Sequence, residues 1–173
     1  VTKLLFWAQP LSGAEEPPLL AMAGALAGAG FAVTLAWGGV GLPDIPGVAV
    51  APLPPAVGDG AGLVCRPDTL EPVDNAWKKR RAAATLAVLA GQAPSVILLD
   101  RFPRGHRAFR FDLRPFLHIA ARRDPAPLVA SWLPPGMAAV DDPALEAELG
   151  GLVTLRLSGE LGEVAGRIRR DAP

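Results

Sequence analysis

Tyrosine is absent from this chain of 173 residues, cysteine occurs once and histidine twice. A single Cys65 excludes an internal disulfide framework. With only two histidines beside it, a zinc cluster of histidine and cysteine is excluded as well. Charge of one sign is also missing: 17 basic and 17 acidic residues leave a formal net charge of zero. That balance speaks against a nucleic-acid partner held by bulk charge. No signal peptide is visible, because Leu4–Ala8 is a short apolar run without a small-residue cleavage site. A reducing, cytoplasmic setting is the default expectation. No motif calls for a metal or a cofactor.

What is present is apolar: half of the residues are hydrophobic, with 19 glycines and 19 prolines spread among them. The length suits one domain with a single core, residues 1–173. From Pro17 to Pro43 no residue is charged, which is long enough for a membrane span of ~20 residues. Glycine punctuation favours another reading. A helix over Leu19–Ala29 stops at Gly30, and strand-type residues Phe31–Trp37 follow, with no Lys or Arg anchors at either flank.

The rest of the chain alternates in the same way. Strands are expected at Lys3–Ala8, Val48–Leu53, Val96–Leu99, Leu128–Trp132 and Leu152–Leu157. Helices are expected from the Asp74 N-cap to Ala90 with a stop at Gly91, over Arg107–Arg123 with a kink or a second helix start at Pro115, and over Pro143–Leu149 and Leu161–Arg170. Val57–Thr69 reads as a loop. Such alternation predicts an α/β fold, a Rossmann-like doubly wound and mostly parallel sheet with helices on both faces. Lys3–Ala8, Phe31–Trp37 and Val96–Leu99 should lie side by side at its centre.

Ligands of such sheets bind outside the carboxyl ends of the strands, which selects the loops Gln9–Pro18, Asp100–Arg110 and Ser131–Asp142. The first holds Gly13, Glu15 and Glu16 at a helix start, where the acids complement the helix dipole themselves. The second holds Arg101, Arg104, His106, Arg107 and Arg110, donors suited to a phosphate or carboxylate. Its bland alternative is a solvated face with Arg–Asp pairs, since Asp100 and Asp112 are near in sequence. Arg104, Arg107 and Arg110, with His106, are expected at the mouth of one cleft, with Gly13 and Ser131 as neighbours. His118 reads as a core-edge histidine and Cys65 as an inert thiol. Trp7 and Trp37 read as core, and Trp77 and Trp132 as nearer the cleft, where an aromatic stacks on a sugar.

Three segments carry a resemblance. Gly13-Ala14-Glu15-Glu16-Pro17-Pro18 stands where the N-terminal domains of family 28 glycosyltransferases have a Gly-Gly-His-x-x-Pro loop. Pro72-Val73-Asp74-Asn75-Ala76-Trp77-Lys78 is similar to a Pro-Val-Asp-x-Ala-aromatic-Lys stretch in a bacterial group of predicted glycosyltransferases. Phe102-Pro103-Arg104-Gly105-His106-Arg107-Ala108-Phe109-Arg110-Phe111-Asp112-Leu113 is similar to the segment that the same group carries after its fourth strand. The resemblance spans about residues 3–132. It departs from the family at Ala14 and Glu15, and at Ser131-Trp132-Leu133, which keeps a serine and lacks an Arg-Asp pair.

The resemblance implies the acceptor-side half of a two-domain GT-B glycosyltransferase, with a donor-binding C-terminal domain outside residues 1–173. It implies a sugar or lipid-linked acceptor, a nucleotide-sugar reached only through that other domain, and a contact with the inner membrane face. Glu15 would replace the family's loop histidine as the base, provided that burial and the neighbouring charge of Glu16 favour its neutral form. Gly13, Arg101, Arg104, His106, Arg107, Arg110 and Ser131 would bind the acceptor or an anion. Residues 1–173 alone are then expected to be inactive. The competing reading is a degenerate, non-catalytic module of the same fold that binds an anionic sugar or lipid head group.

Overall fold

The computed structural model describes residues 1–173. Six strands form one parallel sheet: β1 (Lys3–Ala8), β2 (Ala32–Trp37), β3 (Val48–Pro52), β6 (Val96–Asp100), β7 (Leu128–Leu133) and β8 (Leu155–Ser158). Their order is β3-β2-β1-β6-β7-β8, so the sheet is doubly wound from its centre. Leu4 pairs with Val33 on one side and Val96 on the other. The three apolar runs thus lie side by side as expected. They are buried on both faces, as parallel strands must be.

Side-chain alternation divides the core into two layers. Leu5, Trp7, Ile97 and Leu99 face α2 (Asn75–Gln92), α3 (Arg110–Ala121) and α4 (Pro143–Leu149). Leu4, Phe6, Ala8 and Leu98 face α1 (Glu16–Gly28) and α5 (Leu161–Asp171). The uncharged stretch after Pro17 is therefore a helix and a central strand, separated by Gly30 at φ +90°. No helix is long and apolar enough to cross a membrane.

Local differences from the sequence reading have local causes. The segment after Val57 contains a short hairpin, β4 (Val57–Gly58) with β5 (Val64–Cys65). Its turn is closed by Asp59 Oδ1, which accepts from Ala61 N and Leu63 N at 2.7 and 3.0 Å. Asp74 caps α2 as expected, accepting from Trp77 N at 2.8 Å. The helix runs past Gly91 to Gln92, and Ala93 takes the left-handed cap at φ 46°.

No second helix starts at Pro115, which sits inside the single helix α3 after a 3-10 turn over Arg107–Phe109. The buried stripe of Leu113, Phe116, Leu117 and Ala120 holds the helix together across it. His118 on the same helix is exposed, not at the core edge.

Candidate functional site

The helix after β1 packs on one face of the sheet and the helix after β6 on the other, so the switch point lies between these two strands. Gln9 and Asp100 meet there: Gln9 N donates to Asp100 Oδ2 at 3.0 Å. Asp100 is wholly buried and also accepts from Arg101 Nε at 3.0 Å. Burial pushes its carboxyl up, but the charge and hydrogen bond of His106, then those of Arg101, outweigh burial and hold it below the usual carboxylate range. His106 Nε2 lies 3.0 Å from Asp100 Oδ2 and 2.6 Å from Arg101 Nη2, so its role as donor or acceptor follows the tautomer.

Arg101 ties all three carboxyl-end loops together. Its Nη2 reaches Glu15 Oε1 at 3.1 Å and the Gln9 carbonyl at 3.4 Å, and its Nη1 lies 3.8 Å from Met137 Sδ. Burial lowers its affinity for the proton, yet the carboxylates of Asp100 and Glu15 more than compensate and raise it above the usual arginine value. Both Arg101 and His106 hold left-handed backbone, at φ 65° and 57°. That conformation is strained for side chains of this size and persists because the surrounding contacts fix it.

A second network lies beneath. Arg81, from the buried face of α2, donates from Nε to Asp112 Oδ2 at 3.0 Å and from Nη1 to Gln9 Oε1 at 2.7 Å and the Pro54 carbonyl at 2.9 Å. Trp7 Nε1 donates to the same Asp112 oxygen at 3.1 Å. Burial pushes Asp112 up and Arg81 down, with their mutual attraction opposing both shifts. The spacing of Trp77, Arg81 and Thr85 marks this face in the sequence, but reads there only as helix periodicity. Of the Arg–Asp pairs of the bland reading, one forms within the loop, Arg101 with the buried Asp100, while Asp112 pairs with Arg81 from outside the loop, and that pair is wholly buried rather than solvated.

The candidate residues occupy different places. Arg104 Nη2 bonds the carbonyls of Ser131 and Leu157 at 3.2 and 2.7 Å, across the ends of β7 and β8. Ser131 itself is wholly buried, with an unpartnered hydroxyl. Gly13 is exposed, with open space around its Cβ direction. Glu15 is occupied, accepting from Leu11 N at 2.8 Å and from Arg101. Arg107 and Arg110 instead line a cleft of about 510 Å³ with Lys78, Leu63, Val73 and Asp142. A smaller recess of about 210 Å³ adjoins it, with Arg107 and Asp142 in common and His106 on its wall.

Trp77 and Trp132 are buried at 4% and 0% exposure and cannot stack on a ligand, which corrects their expected place at the cleft. Both belong to the core, as Trp7 and Trp37 do. Lys78 joins the site unannounced by the arginine-rich loop. Its Nζ lies 5.6 Å from the Phe111 ring centroid.

No family model matches the sequence, and no curated relative does. Among solved structures, the Streptomyces sp. SF2575 glycosyltransferase SsfS6 is similar at 17% identity and a TM-score of 0.47, over 76% of this chain and 39% of that one. The same enzyme complexed with thymidine diphosphate is similar at 16% identity and a TM-score of 0.44, over 98% and 43%. The chain spans about two fifths of that enzyme's length. At such scores the likeness assigns no residue a role.

Proposed function

We propose that residues 1–173 form the acceptor-side half of a GT-B glycosyltransferase of family 28 type, facing a donor-binding domain supplied from outside this segment. The observation that carries the reading is the docking of the two glycosyltransferase-like segments on one another. Arg81 from the first pairs with Asp112 from the second at 3.0 Å, and Trp77 meets Phe111 edge-on at 6.1 Å. Their outer residues, Pro72, Val73 and Lys78 from one and Arg107, Ala108 and Arg110 from the other, then line a single cleft. Residues about 30 apart in sequence thus build one wall at the end of the sheet where α/β proteins bind ligands.

In this reading the half-enzyme holds and orients an acceptor, while the facing domain neutralises the departing nucleotide diphosphate. Removing even one such electrostatic donor costs ~10²–10³ in rate, so loss of the whole donor side leaves no measurable transfer. Incubating purified residues 1–173 with nucleotide-sugars and reading released nucleotide tests this. No release is expected. Release that Glu15→Gln abolishes would overturn the half-enzyme reading.

One observation favours the non-catalytic alternative: Glu15, the residue expected to act as the base, has its carboxylate oxygens engaged by Arg101 and Leu11 N. Joining the chain to its donor domain separates the two readings. Transfer by the joined protein supports the enzyme, and sugar binding without transfer supports the module.

A further inference from the structure

We infer that the cleft between Lys78, Arg107 and Arg110 binds a dianionic phosphate group of the ligand. The inference rests on the acceptor-side reading for the identity of the ligand, and on the cleft alone for its charge. Three cations face the cleft against one carboxylate, Asp142, so two positive charges remain to be matched. A carboxylate would leave half of that excess. A phosphomonoester or a diphosphate neutralises it and offers enough oxygens for several donors at once.

The other arginines of the same loop are not free for this work. Arg101 is held by Asp100 and Glu15, and Arg104 by the Ser131 and Leu157 carbonyls. Asp142 is itself partly engaged, because its Oδ1 caps α4 by accepting from Leu145 N at 3.0 Å. Its other oxygen lies 3.7 Å from Arg107 Nη1, beyond hydrogen-bonding distance. Arg110 has no carboxylate within ion-pair distance. Lys78 is steadied over Phe111, whose ring packs on Phe109 at 6.0 Å and Trp77 at 6.1 Å. Lys78 thus stands on a fixed aromatic base, which lowers the ordering cost of its share of the binding, while Arg107 and Arg110 reach the cleft from the solvent side.

Calorimetric titration of residues 1–173 with pyrophosphate and with glucose 1-phosphate tests the inference, alongside flotation with phosphatidylcholine vesicles containing phosphatidic acid. Binding of the soluble phosphates, weakened about tenfold by Lys78→Gln and again by Arg110→Gln, is the expected result. Arg167→Gln, with the same loss of charge on α5, should leave it unchanged. Vesicle binding with the same sensitivity, and no response to soluble phosphates, would make the source a lipid head group and also support the site. No binding in either arm, or binding indifferent to Lys78 and Arg110, overturns the inference. Phosphate binding without transfer by the joined enzyme would fail the transferase reading alone. Transfer without phosphate binding would fail this inference alone.

Discussion

Arg81 and Asp112 face each other at 3.0 Å with neither side chain exposed to solvent. The pair joins α2 to α3 under the candidate cleft, and it is incompletely satisfied: Arg81 Nη2 and Asp112 Oδ1 are buried without partners. A buried pair of this kind is weak as a source of stability and costly to break. Removing one partner leaves the other as an uncompensated charge.

Arg81→Met is therefore expected to destabilise the chain by about 3–5 kcal/mol, read from urea unfolding. Arg81→Met combined with Asp112→Leu should recover most of that loss, because two apolar side chains replace two desolvated charges. Equal destabilisation of the single and double variants would show that the pair has no such role.

Asp100 gives the fold an acid-sensitive point. Its folded-state pKa lies below the unfolded value, so its contribution is present above the unfolded value of ~3.9 and is lost as pH falls through the folded one. Tm should fall on acidification from about pH 5 downward, and Asp100→Asn should flatten that slope while lowering Tm at neutral pH. An unchanged acid slope in the variant would remove Asp100 from the account.

Gly38 is fixed by contact rather than by backbone angle. A Cβ there would stand 2.0 Å from Gln9 Oε1 and 2.9 Å from Arg81 Nη1. Gln9 cannot move away cheaply, because its Nε2 also bonds the carbonyls of Pro10 and Gly38 at 2.7 and 2.9 Å. Gly38→Ala should cost about 1–3 kcal/mol through overpacking. A variant as stable as the parent in urea would mean that the network relaxes freely.

Arg104 ties β8 to its neighbour, since one guanidinium nitrogen bonds the carbonyls of Ser131 and Leu157. Burial lowers its affinity for the proton, with Arg156 adding to the same direction, so the charge is held at some cost. Arg104→Ala should speed amide exchange across Leu155–Ser158 about tenfold or more, with β1 unaffected. Uniform protection in both strands would contradict the tie.

The order of strands and helices was legible in the sequence because it depends on neighbours in the chain. Gly30 follows the first helix, Asp74 caps the second, and Pro143 starts a helix that ends at Leu149 as read. The hairpin at Val57–Cys65 was not legible, since two-residue strands leave no period to detect. The choice among arginines was decided only by tertiary structure. Arg101, Arg104, Arg107 and Arg110 look alike in the sequence, yet the first meets a glutamate 86 residues away and the second a carbonyl 53 residues away. The last two remain turned to the cleft, where Lys78 joins them from a different helix. Periodicity and capping are set by residues within a turn or two. Which charge is neutralised depends on which elements the sheet brings to its carboxyl edge, and that distance is fixed only when the strands have paired.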